Sequence, residues 1–278
     1  MKLISFLIIF SMTMLPQIAN SQAQSIWEEV DVRYYYPLDL GVKDLTFVVK
    51  QKGLEDYIKK SFALKKVEDL AVKVFYLQPD ALRIEILGLP DGFKELRATI
   101  KSMVAPYIAY ALPNKFAERY QMYQFKKIPR KGGYVLKGTD PKFQAAIPEF
   151  EMSFDRGNRL VKTAANTPQG PNETSFNYSK KSWSNSKYIL NKMTSTTRTR
   201  LTVNSIETDI IYGKHAGYGF PKKITITNRV DFTDEAKKLD QFKDQNGTRQ
   251  ETVISFSDYK VNKGDAKKKI YRKVKKVQ

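Results

Sequence analysis

Apolar and polar residues alternate along much of the chain, and a period of two residues predicts strands with one buried face. The clearest example is residues 222–232, KKITITNRVDF, in which one face is apolar except at Asn228. The apolar members of that face are Ile224, Ile226, Val230 and Phe232. The segment therefore predicts a strand that covers either the protein's own core or something that the protein binds.

Seven other segments alternate in the same way and predict further strands. They are 44–50, 69–77, 82–86, 133–136, 149–154, 174–178 and 252–261. Turn sequences separate several of them, such as QPD at 78–80 and DRGN at 155–158. A helix-like patch at 188–193 gives way to Thr-rich, strand-like sequence up to residue 211. In total we expect about nine to eleven strands.

Helical spacing of apolar residues occurs in two places. Leu54, Ile58 and Phe62 recur every four residues and predict a short amphipathic helix. A second stripe comprises Phe93, Leu96, Ile100 and Met103. Residues 115–123 predict another short helix, so the main helical insertion spans about 91–124.

Many neighbouring strands with helices clustered in two places predict an α+β fold. We expect one strongly curved antiparallel sheet, an unclosed β-barrel, with helices covering its concave face. The domain is expected to span residues 26–262. The pattern leaves open whether it is one sheet or two subdomains that divide near 130–133.

The N-terminus has the pattern of an export signal. Lys2 precedes an uncharged run from Leu3 to Leu15, and small residues follow at positions suited to cleavage. The run is shorter than the roughly 20 residues of a membrane-spanning helix. We therefore expect residues 1–23 to be a signal peptide that is removed.

Cysteine is absent from the chain, which excludes disulfides and thiolate chemistry. It also removes the residue that a bacterial lipoprotein needs for lipidation. An exported chain without disulfides suits a bacterial periplasm, so the sequence predicts a periplasmic protein that is not itself lipidated.

The formal net charge is +19, and it is unevenly distributed. Residues 263–278 carry eight Lys or Arg against Asp265 alone, so this segment contributes +7. We expect it to be a disordered tail, or alternatively a contact for anionic lipid or lipopolysaccharide. The cations that would make this contact are Lys267, Lys268, Lys269, Arg272, Lys273, Lys275 and Lys276. Nucleic acid is not expected as a partner of an exported protein.

The sequence lacks the usual catalytic motifs. It has one histidine, His215, in the stretch GKHAGYGFP, which predicts a surface loop. No nucleophile elbow, zinc-protease motif or phosphate-binding loop is present. We therefore expect no enzymatic activity, no metal and no cofactor, although converging carboxylates are not excluded by sequence alone.

Several segments together resemble the lipoprotein-carrier superfamily of LolA and LolB type. They are the strand pair VKVFYLQPDALRIEILG with the helix after it, the strands GYVLKG and FEMSFDRGNRLVKTAA, and the closing GYGFPKKITITNRV and TVISFSDYKVNKG. The resemblance covers most of residues 44–264, and it rests on alternation and turn residues without an invariant catalytic set. The central helical block and the basic tail are additions to the simplest carriers.

The resemblance implies a hollow in an unclosed barrel, roofed by helices, that holds acyl chains. It thereby implies a periplasmic carrier or binding protein for a lipid or for the acyl chains of a lipoprotein, involved in outer-membrane lipoprotein sorting. In the family an arginine on an early strand latches the lid, and Arg83 is the residue to compare with it. The alternative is an envelope protein that fills its sheet with its own side chains and binds through its basic tail.

The apolar faces of the predicted strands are the expected lining of that hollow. Each of these residues is also a candidate for ordinary core. The set comprises Val72, Val74, Tyr76, Leu82, Ile84, Phe150, Met152, Phe154, Phe176, Ile224, Ile226 and Val230, beside the strand of Phe256.

Overall fold

A computed structural model describes residues 26–64, 66–243, 245 and 247–271. Twelve strands form one sheet. Their bounds are β1 (Asp44–Gln51), β2 (Ala71–Leu77), β3 (Ala81–Leu87), β4 (Gln124–Arg130), β5 (Gly133–Thr139), β6 (Glu149–Asp155), β7 (Leu160–Thr167), β8 (Gly170–Ser179), β9 (Ile189–Arg198), β10 (Thr202–His215), β11 (Tyr218–Phe232) and β12 (Thr248–Val261).

The sheet is antiparallel throughout and is not closed. Its strand order is β3-β2-β1-β12-β11-β10-β9-β8-β7-β6-β5-β4, so β3 and β4 are the two edges. The chain runs up and down within each half, and β12 returns to pair with β1. The predicted fold class is confirmed, and the chain forms a single sheet.

Six α-helices accompany the sheet in the part of the chain that the structure describes. They are α1 (26–31), α2 (Leu54–Ser61), α3 (Lys94–Ala111), α4 (Phe116–Arg119), α5 (Asp234–Lys237) and α6 (Asp265–Ile270). Since α3 and α4 join β3 to β4, they must cross from one edge of the sheet to the other. The 18 residues of α3 reach about 27 Å at 1.5 Å per residue. Nowhere in the described part of the chain does a helix combine the length and apolar character needed to cross a membrane.

Two apolar clusters fill the concave side. The first core joins α2 and α3 to β1, β2, β11 and β12, and its fully buried members include Phe47, Ile100 and Ile224. The second core joins α1 and α4 to β5 and β6, and it contains Trp27 and Met152. Leu96, Ile100 and Met103 of the predicted stripe therefore pack against the apolar faces of the strands. Phe93, the fourth member, precedes α3 and is 37% exposed.

The structure differs from the sequence prediction in three central segments. Residues 124–130 form the edge strand β4, which the prediction missed because its lysines and Pro129 hide the alternation, as is common at sheet edges. The patch at 188–193 is not helical, because residues 189–193 belong to strand β9 and Tyr188 precedes it. Helix α3 continues through Pro106 to Ala111, while α4 ends at Arg119, earlier than predicted.

The basic segment 263–278 is not disordered where the structure describes it. Residues 265–270 form α6, which packs on the convex face of β1, β2 and β3. The buried carboxylate of Asp44 caps this helix, because its Oδ1 accepts from the Ala266 amide at 3.2 Å and its Oδ2 from the Lys267 amide at 2.9 Å. The expected signal peptide lies outside the described residues, as do Arg272, Lys273, Lys275 and Lys276.

Candidate functional site

A cavity of about 380 Å³ lies on the concave side of the sheet, between the two cores. The segment 34–37, helices α3 and α4 with the loop between them, and strands β8 to β11 form its walls. Its volume falls within the range of about 300–1,000 Å³ found for small-molecule sites. The principal side chains on its walls are Tyr34, Tyr35, Tyr36, Ala109, Tyr110, Phe116, Arg119, Phe176, Tyr178, Tyr188, Leu190, Met193 and Tyr212.

Aromatic rings dominate the lining, and the tyrosine hydroxyls at the wall remain uncharged. Burial raises the pKa of Tyr212 and of Tyr178 far above the physiological range. Burial also raises the pKa of Tyr36, whose hydroxyl donates to Asp31 Oδ1 at 2.6 Å. The Tyr35 hydroxyl accepts from the Gly219 amide at 2.7 Å. Bonds of this kind fix the rings, so the tyrosines give the cavity wall a rigid, neutral and largely apolar surface.

The N-terminal wall of the cavity is held by backbone and carboxylate contacts. The Tyr35 amide donates to the Tyr188 carbonyl at 3.0 Å, and the Tyr188 amide donates to the Arg33 carbonyl at 2.7 Å. Asp31 is buried and caps α4, because its Oδ1 accepts from the Phe116 amide at 2.8 Å. The segment 26–37 is therefore joined both to β9 and to the helix that faces it.

Arg119 is the single charged residue on the described cavity wall, and it is exposed at the surface. Its guanidinium lies 5.5 Å from the centre of the Tyr120 ring. An exposed cation beside an aromatic wall marks the water-facing mouth of the cavity. The interior itself carries no fixed charge.

Helix α3 is fastened to the sheet edge by Arg97. Its Nη1 donates to the Ile86 carbonyl at 3.0 Å, and its Nη2 donates to the carbonyls of Leu89 at 2.6 Å and Pro90 at 3.0 Å. Arg83, the residue compared with a lid latch, lies on the convex face. There it donates to the Lys269 carbonyl of α6 at 3.2 Å, away from α3.

The predicted lining residues fall into four groups. Phe176 lies on the wall of the cavity. Phe150, Met152 and Phe154 belong to the second core. The first core takes up Val72, Val74, Tyr76, Ile84, Ile224 and Ile226.

Leu82 and Val230 form the fourth group. Leu82 shares the concave face through its pairing with Tyr76, but it is 49% exposed on the edge strand. Val230 is half-buried near the far end of β11.

Sequence reasoning missed most of the cavity wall. The run Tyr34–Tyr36 has no periodicity, and only its aromatic density was a signal. Met193 and Leu190 lie on β9, which the pattern did not identify as a strand.

His215 ends β10 and is half-buried, so it does not lie in a surface loop as predicted. Its ring centre lies 4.7 Å from that of Tyr259, and burial lowers its pKa. Among the described residues no group of three or more His, Asp or Glu side chains is placed to hold a metal ion.

The comparisons with known proteins give two solved structures. One is a LolA superfamily protein from Nitrosomonas europaea, with 11% identity and a TM-score of 0.27 over 86% of this chain and 92% of that one. The other is a domain described as an outer-membrane lipoprotein-sorting protein from Vibrio parahaemolyticus, with 9% identity and a TM-score of 0.24 over 83% of this chain and 88% of that one.

The description of the first structure names the LolA superfamily, and that of the second names lipoprotein sorting. The sequence resemblance points to the same superfamily. No family model matches the chain. No curated protein matches it significantly.

Proposed function

We propose that this chain is an exported, periplasmic binding or carrier protein that holds a lipid, or the acyl chains of a lipoprotein, on the concave side of its sheet. The observation that carries the proposal is the neutral, aromatic-lined cavity of about 380 Å³ under α3 and α4. Such a surface favours an apolar chain and needs no catalytic group. The sequence resemblance supports a place in the sorting of outer-membrane lipoproteins.

The volume is sufficient for measurable affinity. If a methylene occupies about the ~30 Å³ of a water molecule in the liquid, the cavity holds on the order of a dozen methylenes. At about 0.8 kcal/mol per buried CH₂, their burial contributes on the order of 10 kcal/mol before the costs of association. Micromolar binding requires about 8 kcal/mol net. Association costs at least about 4 kcal/mol, which leaves about 6 kcal/mol, so a single chain binds with a Kd of tens of micromolar and only if the cavity is largely preformed.

Filling the cavity tests the proposal. Ala109 and Ala105 are both exposed residues of α3 one turn apart, but only Ala109 lies at the cavity wall. We expect A109W to lower the affinity for dansyl-undecanoic acid at least tenfold, because the indole occupies the space of the chain. We expect A105W to bind as the wild type does. Circular dichroism checks that each protein is folded. If the wild type, A109W and A105W then bind the probe equally, the probe does not occupy this cavity.

A second candidate function is attachment to an anionic membrane surface through α6. The Asp44 cap fixes this helix on the convex face, and it presents Lys267 and Lys268 to solvent. Lys269 is instead partly engaged, because its Nζ lies 3.0 Å from Glu85 Oε2. Each exposed cation near an anionic bilayer contributes about 1 kcal/mol.

Sedimentation with vesicles containing phosphatidylglycerol tests the second candidate. We expect K267E/K268E to bind those vesicles several-fold more weakly than the wild type does and to retain dansyl-undecanoic acid. Unchanged sedimentation would exclude α6 as the contact.

A further inference from the structure

The concave face of β8 to β11 changes from apolar to polar along the strands. Asn228, the polar residue in the otherwise apolar face of β11, marks this change. On β10 it pairs with Ile206, and beyond that pair the register brings uncharged polar residues of β8, β9 and β10 side by side on the same face. We call this surface the polar trough, and it comprises Asn172, Thr174, Ser195, Thr197, Asn204 and Asn228.

One half of the polar trough is a cross-strand hydrogen-bond network between β8 and β9. Asn172 Nδ2 donates to Ser195 Oγ at 3.0 Å and to Thr197 Oγ1 at 2.8 Å. Thr174 Oγ1 donates to the same Ser195 Oγ at 3.0 Å. These bonds orient hydroxyl and amide groups on the concave face of the sheet, where a hydrophobic core would contain apolar side chains.

The other half of the trough carries acceptors without partners. The Oδ1 atoms of Asn204 and Asn228 are buried and have no hydrogen-bond partner among the described residues. Leaving a buried polar atom unpaired is costly, so such atoms in a folded protein call for an explanation. Ile206, which pairs with Asn228, is 37% exposed, so the trough is open to a molecule from outside.

Charge is excluded from this surface although the protein is strongly charged. The concave positions of β8 to β11 hold neutral side chains, from Asn172 to Tyr178 on β8 and from Ile224 to Val230 on β11. The charged residues that alternate with these positions lie on the convex face. There Lys192 Nζ pairs with Glu207 Oε1 at 2.8 Å, and Arg229 Nε pairs with Asp231 Oδ2 at 2.8 Å.

The polar trough adjoins the cavity. Phe176 and Met193 line the cavity and are paired across β8 and β9. Thr174 and Ser195 follow two residues away on the same face. Two residues of strand span about 7 Å, so one amphiphile reaches both surfaces.

We propose that the polar trough receives the uncharged, hydroxyl-bearing head group of the amphiphile whose apolar part occupies the cavity. This inference rests on the proposed function and adds the chemical class of the head group. A hydroxyl donates and accepts, so it satisfies both the asparagine oxygens and the Ser and Thr groups. A charged head group would lose its hydration in the trough without a compensating charge.

Three amphiphiles with the same chain test the head group. We expect decyl glucoside to bind the wild-type protein about tenfold more tightly than decanoate or decyltrimethylammonium, by calorimetry below their micelle concentrations. A tenfold difference corresponds to about 1.4 kcal/mol. We expect N204L/N228L to lose this preference, to keep its affinity for decanoate, and to resist urea at least as well as the wild type.

Two further variants make the test specific. T227L places a leucine on the convex face of β11, outside the trough, and is expected to retain the preference for decyl glucoside. N228D adds a carboxylate to the trough and is expected to shift binding towards decyltrimethylammonium, which also tests the site if the double variant does not fold.

The possible results separate the two proposals. Equal binding of the three amphiphiles by the wild type would overturn the head-group inference and leave the cavity proposal intact. Persistence of the preference in N204L/N228L would likewise overturn it. Failure of all three amphiphiles to bind would overturn both.

Discussion

Removing the guanidinium of Arg97 tests how α3 is held against the sheet. In R97M the methionine keeps an unbranched apolar stem and a similar helix propensity. The substitution removes the three hydrogen bonds that Arg97 donates to the carbonyls of Ile86, Leu89 and Pro90. Lys101, exposed one turn further along α3, provides the matched control K101M.

The magnitude follows from the charge and exposure of the group. A hydrogen bond from a charged donor contributes about 1.5–3 kcal/mol to stability. The Arg97 side chain is 26% exposed, and its ion pair with the fully exposed Asp91, at 3.8 Å, adds little. Water reaches the released carbonyls, so the three bonds do not add fully. We expect R97M to lower the free energy of unfolding by about 2 kcal/mol, against less than about 0.5 kcal/mol for K101M.

Urea unfolding and hydrogen exchange measure this effect. With an m-value of about 3 kcal/mol/M, the loss corresponds to a shift of the urea midpoint by ~0.7 M. Amide exchange is expected to accelerate first in residues 94–101, because their attachment to β3 is lost while the buried stripe from Leu96 to Ile108 remains. An identical midpoint for R97M and K101M would refute the assignment of Arg97 as the fastening residue of α3.

Three further predictions concern packing and pH. G219A is expected to destabilise the protein by about 1–3 kcal/mol, because the added Cβ would lie 1.7 Å from the Trp183 ring. G213A, which meets only the flexible Lys222 chain, is expected to cost less in the same thermal melt. M152A is expected to cost about 2–5 kcal/mol in urea, since Met152 is fully buried.

The third prediction concerns Asp140, which accepts from three amides, led by Ala145 at 2.6 Å, so that its pKa is lowered. Its stabilisation is present above the unfolded value of about 3.9 and is lost as the pH falls through the lower folded value. We expect D140N to lose less stability than the wild type between pH 5 and pH 2 in acid titrations. Parallel acid curves for the two proteins would contradict this assignment.

The sequence predicts the sheet well where one face is buried and the other is wet. In β6 the burial alternates with the sequence, so the period of two residues reflects a real difference between the two sides. In β1 and β2 the composition alternates although α6 covers their convex face and both sides are buried. Alternation does not identify β4, whose edge position favours Lys and Pro. It fails again for β9, where both faces are half-buried and a bulge next to Tyr178 shifts the register.

The site is less predictable than the fold because it depends on contacts distant in sequence. Apolar strand residues such as Val74 and Ile224 are of the type that lines an apolar cavity, but α2 and α3 pack over them. The cavity remains where those helices end, and its wall comes from Tyr34–Tyr36, which reaches β9 across about 150 residues (188 minus 35). No local pattern encodes such a contact. Asn228 interrupts the alternation in the sequence, but only the register of the neighbouring strands shows that it lies close to other polar residues.

Native mass spectrometry of the protein purified from periplasm without detergent tests the central claim most directly. We expect a stoichiometric adduct with the mass of a lipid or acylated molecule, and solvent extraction should recover that molecule. The adduct should be absent from A109W and present in A105W. A wild-type protein that is empty, and that also fails to take up dansyl-undecanoic acid, would contradict the claim that the concave cavity is a binding site.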